Sequence, residues 1–127
     1  MTYTHSSRMT PNLELLYAAA RAAEYEVVGF VDERIVFPRK DTVGGLIIRN
    51  ERGGDSAWNP LTSDGDAFRL ATKLGMWLRL QEPINRVVAV GHCGFVVSVD
   101  EEYVDDPYAA ARLAIVKVAA TMAGAKE

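Results

Sequence analysis

The chain has 127 residues, 49% of them apolar and 24% charged, with a formal net charge of −3. That length lets a single domain bury a core without a metal or disulfides, and the acidic balance argues against a non-specific phosphate-backbone binder. Basic and acidic side chains balance over residues 1–52, so the whole acidic excess lies in residues 53–127.

Residues 1–9 are polar, lack the apolar core of a signal peptide and read as a flexible tail, leaving 10–127 as a single domain. Thr10-Pro11 is an N-cap followed by proline at the first helical position. Leu13, Leu16, Tyr17 and Ala20 then recur on one face, predicting a first helix that ends near Glu26. Val27 to Val31, Ile35 to Phe37 and Leu46 to Ile48 are short apolar runs rich in β-branched residues. Links this short predict an antiparallel meander, because a parallel pair needs a longer crossover. Asn50 to Ser56, centred on Gly53-Gly54, reads as a loop.

A second helix opens after Trp58-Asn59-Pro60, capped by Thr62 or Asp64, with Ala67, Leu70, Ala71, Leu74 and Leu78 on its apolar face. Trp77 falls on the same helix, and Pro83 closes the segment. Arg86 to Val90 and Phe95 to Val99 form a hairpin around Gly91-His92-Cys93-Gly94. The unbroken apolar run Val87-Val88-Ala89-Val90 requires cover on both faces, or a helix on one face and a partner chain on the other. Asp106-Pro107 opens a last helix running to about Met122, with Tyr108 on it. Its wide apolar surface is either buried within the domain or forms a homodimer contact through this C-terminal helix.

The order α-β-β-β-α-β-β-α predicts an α+β domain: one antiparallel sheet of about five strands with helices packed on its faces, an α-β-α sandwich. Trp58-Asn59-Pro60, Thr62, Ala67 and Leu70, with Pro107 and the later run Ala114-Ile115-Val116-Lys117-Val118-Ala119-Ala120, resemble the phage ABA sandwich domain family. The likeness covers about residues 58–78 and 107–121. Ser63-Asp64-Gly65 departs from the family's more compact junction, and residues 38–55 have no counterpart in it. The resemblance implies a sheet between two helical layers and a phage or prophage origin. It implies no reaction, since the family has no assigned activity.

Several residue groups are candidate sites. Trp58 and Asn59, with Arg49 and Arg52, have the chemistry to stack on and hydrogen-bond a nucleotide-like small molecule. The same Trp58 and Asn59 equally serve as a staple and a turn that join a strand to a helix. Asp100, Glu101, Glu102, Asp105 and Asp106 form an acidic run in which Tyr103 would anchor a basic host or phage protein. Read plainly, that run is a solvated loop and helix cap; it lacks both the spacing of a calcium loop and a carboxylate pair across a cleft.

His92 and Cys93 are neighbours in a turn, where side chains point apart, so they make a poor catalytic couple; their flanking glycines leave room at most for a weak anion nest. Cys93 is the sole cysteine, which excludes an intrachain disulfide and fits a cytoplasmic protein. No metal set, cofactor motif or membrane-length apolar run is present in the sequence, and no catalytic residue is assigned. Nucleic-acid binding would need Arg34, Arg39, Lys40, Arg49 and Arg52 to converge on one face and is not expected. The sequence therefore favours a non-enzymatic accessory protein that binds a host or phage protein, with small-molecule binding as the alternative.

Overall fold

A computed structural model of the chain describes residues 11–31, 45–49, 52–81, 84–94 and 96–126. The tail at 1–9, the cap Thr10, the strand expected at 35–37, and Arg34, Arg39, Lys40 and Pro83 lie outside the described residues. Helix α1 spans Pro11–Ala22, and strands β1 (Val27–Val31), β2 (Gly45–Arg49) and β3 (Asp55–Trp58) follow. Helix α2 spans Asp64–Lys73, strands β4 (Trp77–Gln81), β5 (Arg86–His92) and β6 (Val96–Glu102) come next, and helix α3 (Pro107–Lys126) closes the described chain.

The strands form two separate antiparallel sheets, ordered β1-β2-β3 and β4-β5-β6. The expected single five-stranded sheet is therefore wrong, and two local readings caused the error. Asp55–Trp58 is a strand and not loop: it pairs with β2 from Leu46↔Trp58 to Arg49↔Asp55. Trp77 and Leu78 are strand and not helix. The last turn of α2 closes at Leu74, whose N–H bonds to the carbonyl of Leu70. Gly75 then adopts a φ of 69°, a left-handed conformation that ends a helix at little cost in glycine. With β3 and β4 added, each half of the chain builds its own three-stranded meander.

Helix α3 is the centre of the packing. It lies along α1, over β5 and β6, and against α2, while α1 rests on β2. Small residues let the helices approach closely: Ala19, Ala20 and Ala22 of α1 and Ala114, Ala119 and Ala123 of α3 are all buried. The apolar surface of α3 is largely consumed inside the chain, since Ile115, Val116, Val118 and Met122 are buried as well.

Alternation along β5 sends Val87, Ala89 and Gly91 toward α3. The approach is closest at Gly91, where an added Cβ would stand 2.8 Å from Val118 Cγ1 and 3.0 Å from Met122 Sδ. Leu78 and Leu80 of β4 share this face through their partners Ala89 and Val87. The opposite face carries Trp77, Val88, Val90 and Val96 beside Arg79 and Asp100. Trp77 and Val96 on it are exposed while Val90 is buried, and among the described residues α3 is the helix that packs along β5, on the other face.

Candidate functional site

The junction around Trp58 satisfies its own polar groups. Trp58 faces the core from β3, is 3% exposed, and meets the Tyr25 ring edge-on at 5.4 Å between centroids. Gly45 lies opposite with a φ of 148°, and a Cβ there would stand 2.9 Å from the Trp58 carbonyl oxygen and 3.0 Å from Asn59 Cβ. Asn59 Oδ1 accepts from the Leu61 N–H at 3.0 Å, and the Asn59 carbonyl accepts from the N–H groups of Thr62 and Ser63. Ser63 is the N-cap, in place of the expected Thr62 or Asp64; its Oγ accepts from the Asp66 N–H at 3.1 Å. Asp66 reaches back with one carboxylate oxygen to the Asn59 N–H and gives the other to Arg69.

Arg112 is a basic residue in the otherwise largely apolar sequence of α3. It ties this junction to α3. Its Nε donates to the Leu61 carbonyl at 2.8 Å and its guanidinium pairs with Asp64 at 2.6 Å. The partners lie 51 and 48 residues away, so no local pattern marks the role.

Arg49 does not join Trp58. Leu46, Ile48 and Trp58 face the core, whereas Arg49 and its cross-strand partner Asp55 project from the other side of the sheet. There Arg49 Nε donates to Asp55 at 3.2 Å and the guanidinium stands 4.0 Å from Glu26. Arg52 is exposed in the turn before β3. Trp58 and Arg49 thus lie on opposite sides of their sheet, and the four residues considered for a small molecule do not converge.

The acidic run divides among distinct tasks. Asp100, Glu101 and Glu102 belong to β6. Arg86 on the neighbouring strand pairs with Asp100 at 3.7 Å and Glu102 at 3.3 Å. Its Nε is buried and has no partner among the described residues. Glu101 points the other way, toward α3, where its carboxylate is 18% exposed and takes a 2.7 Å bond from Lys117. Asp106 caps α3 by accepting from the Ala109 N–H at 3.0 Å. Asp105 is exposed and has no partner among the described residues.

Two apolar residues stand out of the loop between β6 and α3. Val104 is 92% exposed and Tyr108, on the first turn of α3, is also exposed. Tyr103, expected to be the anchor, is only half-exposed, and its N–H donates to the Asn85 carbonyl at 3.0 Å. That bond and the Asp106 cap fix the loop at both ends. Ile84, beside Asn85 in the β4–β5 turn, is exposed as well.

His92 ends β5 in the open, opposite Val96, while Cys93 is half-buried and packs against the core. Among the described residues, no group of three or more His, Cys, Asp or Glu side chains is placed to hold a metal ion. No described helix is long and apolar enough to cross a membrane. The chain matches none of the family models, curated proteins or solved structures with which it was compared.

Proposed function

We propose that the chain is a non-enzymatic, cytoplasmic protein that docks on another protein through the loop between β6 and α3. The observation that carries this reading is Val104, an aliphatic side chain almost wholly in solvent on a loop held at both ends. Apolar groups displayed on a fixed backbone bind at little ordering cost, and an aromatic neighbour such as Tyr108 enlarges the contact. Asp105 and Glu102 at the rim favour a host or phage partner whose contact surface is basic. Phage or prophage origin rests on the sequence resemblance alone. The small-molecule reading is not carried further, because the Trp58 ring is enclosed and Arg49 lies on the other side of its sheet.

The test is site-specific photo-crosslinking in the cell, with the photoreactive residue p-benzoylphenylalanine in place of Val104, of Tyr108, or of Thr72 as an exposed control on α2. The expected outcome is one discrete adduct at Val104 and Tyr108, absent at Thr72 and weakened by Asp105→Lys. No adduct at positions 104 and 108, or the same adducts at all three sites, would sink the proposal.

A further inference from the structure

Among the described residues, strand β4 is an outer strand with a hydrogen-bonded neighbour on one side only, β5. No described strand pairs with its other side, whose row of backbone N–H and C=O groups is a template for one more strand. Solvent-facing edges are normally blunted by proline, lysine or a bulge. Trp77-Leu78-Arg79-Leu80-Gln81 has none of these in its pairing with β5. It carries Leu78 and Leu80 on the face toward α3 and Trp77 beside Arg79 and Gln81 on the other, and its apolar side chains are open to solvent: Trp77 is 48% exposed, Leu78 39% and Leu80 57%. Helix α3 covers β5 and β6, so Leu78 and Leu80 overhang its cover.

We propose that β4 pairs antiparallel with β4 of a second copy of this chain, joining two three-stranded sheets into one of six strands. Charge selects both the occupant and the register. Centring the two-fold on Leu78 sets Leu78 opposite Leu78 and Met76 opposite Leu80, all on the face toward α3. On the open face, the same register sets each Trp77 ring opposite the Arg79 guanidinium of the other copy. Arg79 already lies 5.7 Å from its own Trp77 ring, so the two side chains have the geometry for a cation–π contact repeated across the two-fold. Shifting the centre to Arg79, the next register that holds Arg79 on the same face, puts the two guanidinium groups directly opposite each other and is disfavoured. The strand is thus complementary to itself in the Leu78-centred register, as a two-fold interface requires. One five-residue strand with three apolar side chains is a small interface, so the association is weak.

Sedimentation velocity on the full chain tests this from about 1 μM to about 500 μM, the range a weak interface demands. The expected result is a monomer at the low end and a dimer at the high end. Leu78→Lys, with its circular dichroism unchanged, should remain monomeric throughout. Cysteine cross-linking in a Cys93→Ser background reads the register: Leu78→Cys should oxidise to a covalent dimer at least tenfold faster than Arg79→Cys. A wild-type chain that stays monomeric over the whole range overturns the proposal. So does a dimer that survives Leu78→Lys, or faster cross-linking at position 79 than at 78.

Discussion

Replacing Gly91 by alanine tests the seating of α3 on β5, which determines which faces of β4 are left open. A glycine inside a strand usually weakens it, and alanine there is expected to gain about 0.5–1 kcal/mol. At Gly91 the sign reverses. The new methyl would lie 2.8 Å from Val118 Cγ1 and 3.0 Å from Met122 Sδ. The thioether can swing aside, but Val118 is fully buried and its single stiff torsion leaves no empty direction. Relief requires α3 to lift, and overpacking of this kind costs about 1–3 kcal/mol. The net loss is about 1–2 kcal/mol, or a fall in Tm of about 4–8 °C for a chain of this size. Differential scanning calorimetry measures it, with two internal controls. Gly29→Ala should leave Tm level or raise it, because a Cβ there meets nothing within 4 Å. Val118→Ala should recover part of the Gly91→Ala loss when the two are combined. A Tm that rises on Gly91→Ala would refute the seating of α3 described here.

Three further substitutions test the other junctions. Arg112→Met should cost about 1–2 kcal/mol in urea unfolding, mostly from the Leu61 carbonyl left unpaired, while Asp64→Asn should cost no more than about 0.5 because that carboxylate is largely in solvent. Equal losses in the two variants would show that the ion pair, and not the carbonyl, is the tie. Lys117→Met should be more harmful alone than together with Glu101→Gln, with a coupling of about 0.5–1 kcal/mol in a double-mutant cycle, since Glu101 faces α3 and Lys117 is half in solvent. Gly45→Ala should cost more than about 2 kcal/mol, because its φ is left-handed and the Trp58 carbonyl in the way is backbone; a thermal melt within 2 °C of wild type would contradict that approach.

The elements legible in the sequence were those with local punctuation. Proline opens both long helices, Asp106 caps α3 as expected, and the glycine-flanked hairpin joins β5 to β6. The sheet arrangement was not legible, for two physical reasons. Leu70, Leu74 and Leu78 keep the four-residue spacing of a helix straight through the point where the helix stops, so periodicity alone carries α2 too far. Gly75 was the contrary signal, a helix-ending glycine just past Lys73. Strand β3 has four residues behind a glycine pair, too few for alternation to stand out. Whether two meanders merge depends on contacts between distant segments, and no local pattern encodes them.

The candidate surfaces show the same limit. The acidic run is obvious in the sequence, yet its members face opposite sides of β6, and Arg86 and Lys117, which pair with three of them, lie 14 to 16 residues from those acids. Val104 attracts no notice in sequence, since exposure belongs to the fold. The same holds for β4, whose apolar residues look like core until β5 is found on only one side of them.

Residue-resolved hydrogen exchange along Trp77–Gln81 tests the account most directly, because it reads the sheet arrangement and the pairing of copies together. In dilute solution the amides bonded to β5 should be protected and every second amide should exchange freely. Concentrating the protein should slow those free amides alone. Protection of all the β4 amides at every concentration would mean that a strand of the same chain covers the edge. Free exchange that persists in concentrated solution would mean that no second copy does.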